Sequence, residues 1–493
     1  MVNEDGVFIR QEARSLTDET LAWYARAVGR MKERPAEEVT SWWYQAAIHG
    51  STEPPKPLYD QCKHGSWFFL PWHRMYLYYF EAIVRAAVVE LEGPEDWCLP
   101  YWNYALNEEH ASIPEAFREP QDESNPLYVE QRAPRTEFEP GINEGAILKA
   151  RTTSDASATA APNFVGPEEF GGGPNPPTRL FFGEAGQLEL SPHNAVHGAV
   201  GGEEGWMSFP EEAAKDPIFW LHHANIDRIW AEWEKTHQDA PQPEWRNETF
   251  PFFNPAGEEV ELTPAQVLDT IVDLNYTYDV IPAEAEEPGP EPSQPEPEKV
   301  GAAAAPAMSG SGYGVEAMPN PDRKVVGAAD QKVTLAGSPE AIPVTIDQRA
   351  KEELKEASRE SDPRRVFLNI EDIEGEVNPG TVYGVYVNLP KDPDEPTLEK
   401  HYAGNISFFG IERAREPRGD EHGHSIRYIL EIGGLLRSLG GGEFSGDEEL
   451  DVTFRPLRLK PPKGHPEAES FPAQPEGMQA PPIQIGRVSL SVG

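Results

Sequence analysis

Cysteine is nearly missing from this chain: 493 residues contain two, Cys62 and Cys98. Two thiols cannot build a disulfide framework. Long apolar runs are missing as well, and nothing approaches the roughly 18 residues that a membrane-spanning helix needs. The opening MVNEDGVFIRQEARSLTDE has neither the apolar centre nor the cleavage pattern of a secretory leader. These absences predict a cytoplasmic protein, with export by another route left open. Basic charge is scarce: 42 Lys and Arg stand against 84 Asp and Glu, a formal net charge of −42. Such a field repels phosphate backbones and anionic lipid, so neither nucleic acid nor a membrane surface is expected as a partner.

Aromatic residues, by contrast, are plentiful, with 12 Trp, 21 Phe and 16 Tyr. They allow a sizeable core over part of the length, while 50 Pro and a mean hydropathy of −0.58 show that the apolar content is unevenly spread. Most Trp and the helical periodicity fall in residues 1–240. There 15–34, 36–50, 71–93 and 216–237 read as helices from their spacing, capping residues and terminal Gly or Pro. The third is apolar almost all round and so should be buried and central. Residues 241–280 read as a small appended segment. Residues 281–337, rich in Pro, Glu, Ala and Gly, read as a linker that cannot bury enough surface to fold. Residues 338–493 carry short β-branched and aromatic runs such as RVFLNIEDI, NISFFGI and IQIGRVSLSV, separated by turn residues. That pattern predicts an antiparallel β-sandwich domain.

Of the 13 His, six fall into two sets of three within the helical region. In SPHNAVHG, His193 and His197 stand four apart, about 40° around a helix, so two imidazoles share one face. DPIFWLHHANIDRIW adds a third from another helix, His222 or His223, and three imidazoles suit copper or zinc. His64 and His73 are nine apart, about 900° of helical rotation, hence on opposite faces of any single helix. They can converge only if His64 lies outside the helix, and Pro71 supplies the break. His49, ending the previous helix, would complete the second set. Cys62, two residues before His64, is open to three readings: disulfide partner, thiolate ligand or buried small hydrophobe.

HGSWFFLPWHR, followed by PHNAVH and DPIFWLHHANIDRIW, resembles the two copper-binding motifs of the tyrosinase and polyphenol oxidase family of type 3 binuclear copper proteins. The 244–278 stretch resembles the segment after the copper domain in plant-type members, and HYAGNISFFGI with the strands after it resembles their C-terminal β-domain. The resemblance implies a catalytic domain with a four-helix-bundle dicopper core. It implies two copper ions, one on His49, His64 and His73 and the other on His193, His197 and His223, with His222 behind them. With O2 as co-substrate, the implied activity is oxidation of o-diphenols to o-quinones and ortho-hydroxylation of monophenols, and so small phenolic partners. For Cys62 it implies a thioether to the ring of His64, as in fungal and molluscan relatives. Glu189 and Asn194 resemble a pair that holds a water able to deprotonate an incoming phenol, which is general-base chemistry.

Around that set, Asp227 lies four residues after His223 and is a candidate to orient an imidazole, or to pair with Arg74 or Arg228. Met207 and Phe209 are candidates to overhang the metals. Arg10 is a candidate to stack on Tyr276 and Tyr278. The linker and β-domain predict latency until the cap is displaced, with an activating protease and a copper-delivery protein as further partners. The stretch GSTEPPKP directly after His49 holds no Cys and no transit peptide is seen, so the chain reads as prokaryotic with plant-like domain order. A haemocyanin-like O2 carrier is the alternative function, and a zinc hydrolase a third. His401, His422 and His424 read as surface residues.

Overall fold

Five helices organise the first half of the computed structural model, which describes residues 2–16, 18–166, 168–174, 184–237, 242–279, 323–359, 364–414, 426–440, 449–462 and 480–493. They are α1 (Asp18–Glu33), α2 (Trp42–His49), α3 (Phe69–Glu90), the short α4 (Ala195–Gly201) and α5 (Pro217–Glu234). Local chemistry sets their ends. Ser41 accepts from the Tyr44 N–H and starts α2 there, so residues 36–41 are turns and not the helical turn their spacing predicts. Asp216 accepts from the Ile218 N–H, and Pro217 fills a position whose N–H would have no partner. α3 packs against both α1 and α5 and is buried along most of its length, as its apolar circumference predicts.

Small strands close this unit. β1 (Phe8–Arg10) pairs in parallel with β4 (Tyr276–Tyr278), so the 241–280 segment returns to the N-terminus. Between them, β2 (Phe250–Phe253) and β3 (Glu259–Leu262) form a hairpin.

The C-terminal half is an antiparallel β-domain. Among the described residues its nine strands are β5 (Lys324–Ala328), β6 (Val333–Leu335), β7 (Glu340–Ile346), β8 (Val366–Gly375), β9 (Tyr383–Val387), β10 (Tyr402–Ile406), β11 (Ile426–Glu431), β12 (Glu449–Pro456) and β13 (Ile483–Val492). They join in one hydrogen-bonded sheet of order β10-β9-β12-β7-β5-β13-β8-β11, with β6 paired to β13. The sheet curls until its end strands β10 and β11 pack against each other, enclosing a core of alternate inward residues. β5 and β6 lie inside the range that composition reads as linker. KVVGA and VTL are too short to stand out, and their pairing with β13 carries them into the sheet. Residues 281–322 of that linker, and His422 and His424, lie outside the described residues. His401 is half-buried, its Nδ1 2.8 Å from the Val387 carbonyl. Among the described residues no helix is long and apolar enough to cross a membrane.

Candidate metal centre

The predicted histidines converge on one buried place. His49 is the last residue of α2, His73 lies in the second turn of α3, and His64 precedes α3 in an extended approach. Their ligand atoms lie within 4.8 Å of one another, as do those of His193, His197, His222 and His223. The two groups face each other: the rings of His73 and His223 stack at 4.5 Å and 12°, and those of His64 and His193 stand 5.5 Å apart.

One nitrogen of most of these rings is fixed from outside. His49 Nδ1 donates to the Pro210 carbonyl at 2.8 Å, His73 Nδ1 to Phe69 at 2.8 Å and His197 Nδ1 to Met207 at 2.7 Å. His193 Nδ1 donates to the side-chain oxygen of Asn194 at 2.8 Å. That choice of tautomer leaves Nε2 with a free lone pair. Nε2 of His49, His73 and His193 is buried with no partner among the described residues. Nε2 of His197 and of His223 stand 3.3 Å apart. Two nitrogens each about 2.0 Å from one ion at the tetrahedral angle would be about 3.3 Å apart. Burial also holds every one of these imidazoles below its ordinary pKa, with His73 and His197 down at about 3. Neutral, desolvated imidazoles with inward lone pairs are a metal-binding set, and an all-nitrogen set suits copper.

Other predicted residues divide. Glu189 is buried next to the residue that follows His64. It accepts from the Gly65 N–H at 2.7 Å, and burial pushes its carboxyl up to about 8 against that hydrogen bond. Its second oxygen has no partner among the described residues. Asn194 already spends its carbonyl on His193. Met207 serves through its backbone carbonyl, and Phe209 is half-buried in the loop that brings Pro210 to His49. That loop lies close because residue 50 is Gly; a Cβ there would stand 2.6 Å from the Pro210 oxygen.

Asp227 does not orient an imidazole; its carboxylate binds Arg74 Nε at 2.5 Å, Arg10 Nη1 at 3.2 Å and the hydroxyls of Tyr276 and Tyr278. Burial alone would raise this carboxyl, but Arg74, Arg10 and the two phenols outweigh it and hold the pKa below its ordinary value. Arg10 lies 3.7 Å over the Tyr276 ring, as the cation–π expectation had it. The network bolts β1 and β4 to α3 and α5 from behind the histidines.

The residue over the centre comes from the other domain. Phe409 follows β10, and its ring stacks on His197 at 4.2 Å and 25° and stands 5.7 Å from both His64 and His193. Sequence pattern reads NISFFGI as a strand, but β10 ends at Ile406. Phe408 turns into the β-domain core and Phe409 into the helical one. Arg413 then pairs with Asp60 at 2.6 Å and Glu211 at 3.2 Å, and Asn378 donates to the Ser208 carbonyl at 3.1 Å, fastening the loop down.

Residues 39–236 match the family described as the common central domain of tyrosinase, and residues 322–492 match DUF7868, a domain of unknown function. The tyrosinase HcTyr1 of Hahella sp. (strain CCB-MM4) is 31% identical over 484 residues, covering 91% of this chain and 95% of that protein. The chain belongs to the tyrosinase family. A chloroplastic polyphenol oxidase II of Ipomoea batatas is 26% identical over 492 residues, 91% of this chain and 74% of that one. In fold, the chain is similar to latent apple tyrosinase, with TM-score 0.61 at 20% identity over 99% of this chain and 97% of the other. A latent aurone synthase gives TM-score 0.62 at 20% identity over 100% and 90%. This tyrosinase-family chain is therefore an oxidoreductase of the copper phenol oxidase class, and its two histidine groups fit the family's binuclear copper.

Proposed function

We propose that the chain binds two copper ions, one on His49, His64 and His73 and one on His193, His197 and His223, and oxidises o-diphenols to o-quinones with O2. The observation that carries this reading is the set of buried Nε2 lone pairs aimed into one space while carbonyls hold Nδ1 from outside. Bound copper supplies two-electron exchange with O2. The chain's part is to hold neutral imidazoles on rigid helices, keep water out with Phe69, Phe219 and Phe409, and receive a phenol proton. His223 is favoured over His222 because its Nε2 meets that of His197, while His222 lies behind, stacked on His193 at 19°. Glu189, with one unpartnered oxygen, is the candidate base for monophenol hydroxylation, and Asn194 holds the His193 ring.

Latency belongs to the same reading. Phe409 fills the place where a phenol ring would lie over His197 and His193, so substrate enters once this loop is displaced. For the thioether, Cys62 is buried, unbonded to Cys98, and hydrogen-bonded through its N–H to the His49 carbonyl at 3.3 Å. Burial pushes its thiol up, away from a thiolate ligand. Joining Sγ to a ring carbon of His64 releases two hydrogens, with O2 as the oxidant. The mature copper-loaded protein should then be about two mass units light in the peptide holding Cys62 and His64, since one bond replaces two to hydrogen; a Cys62 that alkylates freely contradicts it. The reading as a whole is tested by copper content and by turnover of 4-methylcatechol and of p-cresol in full-length and Phe409→Ala protein. Two zinc per chain, or O2 binding without catechol turnover in the opened variant, would overturn it.

A further inference from the structure

The stretch that carries Glu189 and His193 is shared between two cores. Leu188 packs in the helical core, whereas Leu190 is buried in the β-domain core, the one that holds Ile406, Phe408 and Tyr428. Ala185 packs against that second core as well. Polar anchors divide the same way. On the helical side, Gly65 N–H donates to Glu189 and the Ser191 hydroxyl donates to the Ser154 carbonyl at 2.9 Å. On the β side, Gln187 Nε2 donates to the Ile429 carbonyl at 3.1 Å, and Arg427 pairs with Glu184 at 2.7 Å. Asn405 Nδ2, at the end of β10, donates to Ser191 Oγ at 3.1 Å and to the Arg151 carbonyl at 2.7 Å.

Between Glu189 and His193 the helical path is broken by a kink inside a short π-helical stretch, Glu189–Asn194. Ser191 is extended, with φ −150° and ψ 127°, and Pro192 has no N–H to donate. A kinked stretch whose regular helical ladder is interrupted takes much of its position from what surrounds it. Half of those surroundings here belong to the β-domain.

We infer that the C-terminal domain positions the second histidine trio as well as covering it, with Leu190 and Asn405 setting where Glu189 and His193 stand. The inference rests on the dicopper reading for what the placement serves, but the placement is a property of the metal-free chain. Two ways of opening the site then differ. Displacing Phe409 leaves Glu189 and His193 in place. Removing the whole domain bares Leu190 and frees the segment, and hydroxylation of a monophenol, which calls on Glu189, suffers more than oxidation of a diphenol.

The test uses the full-length chain with Phe409→Ala as parent and adds Leu190→Ala, Asn405→Ala or Leu190→Met. Hydrogen exchange is followed on the metal-free proteins; copper per chain and turnover of p-cresol and 4-methylcatechol are followed on the loaded ones. Leu190→Ala and Asn405→Ala should each speed exchange in 184–194 by about tenfold or more, leaving α2 and α5 as in the parent. Copper should fall from two per chain toward one, and p-cresol turnover should drop more than catechol turnover. Leu190→Met, which refills the same space, should restore all three. Unchanged exchange in 184–194, or an equal rise in every helix and strand, would overturn the inference. Should the parent bind no copper and oxidise no catechol while exchange responds as described, the dicopper reading fails and the positioning role stands.

Discussion

Asp227 is where burial, charge and hydrogen bonding can be weighed one residue at a time. Its carboxylate is the shared counter-ion of two guanidinium groups, Arg10 and Arg74, that are themselves fully buried. Removing one partner of a buried pair costs about 3–5 kcal/mol, because the other charges stay behind unpaired. Asp227→Ala should therefore lower unfolding stability by that order in a denaturant titration; a change within about 0.5 kcal/mol, typical of an inconsequential surface site, would contradict the network. At this scale the sequence shows the histidines well, because imidazoles are few and their spacing can be tested against helix geometry. It shows their anchors poorly. Nδ1 of His49 and of His197 is held by the carbonyls of Pro210 and Met207, and a backbone carbonyl leaves no mark in the residue types. The same holds for Asp227, whose distance of four from His223 fits an imidazole partner as well as the arginines it meets.

Among elements, three of the four expected helices are legible to within about three residues because caps and period agree, whereas α2 starts at Trp42, about six residues later than its spacing predicts. The β10 region is not legible in that way. In NISFFGI the apolar run continues while the strand stops, and what decides this is that the two phenylalanines enter different cores. The approach to β9 works in the same interface. Gly380 has φ +62° and lies against the backbone of Gly202 just after α4, where a Cβ would collide. Gly380→Ala should therefore loosen the docked cap. A loss of about 1.4 kcal/mol in docking corresponds to tenfold, so catechol oxidation by the uncleaved chain should rise by about that factor. Activity at the parent level, in a variant with unchanged far-UV spectrum, would show that this contact does not hold the cap.

Across the whole molecule, the two domains are joined by exchanged parts. Phe409 and Val382 belong to the helical core, Leu190 to the β-domain core, and ion pairs cross at Arg413–Asp60, Arg151–Glu395, Arg365–Glu169 and Arg427–Glu184. The sequence reveals both domains by their periodicities but not this exchange, since a leucine in one core reads like a leucine in the other. Arg413 stands four residues beyond Phe409 and is mostly buried, so its pair is screened less than the exposed ones. Hydrogen bonds to charged groups contribute about 1.5–3 kcal/mol. Arg413→Ala should accordingly raise the catechol-oxidising activity of the uncleaved chain by about tenfold or more, read as kcat/KM.

The central claim is that six imidazoles hold a copper pair beneath Phe409. Its most direct measurement is metal content together with 4-methylcatechol turnover in copper-loaded full-length protein, wild type beside Phe409→Ala. The account predicts two copper per chain in both and a large gain in turnover in the variant alone. Two zinc per chain, or two copper with no catechol oxidised once Phe409 is gone, would contradict it.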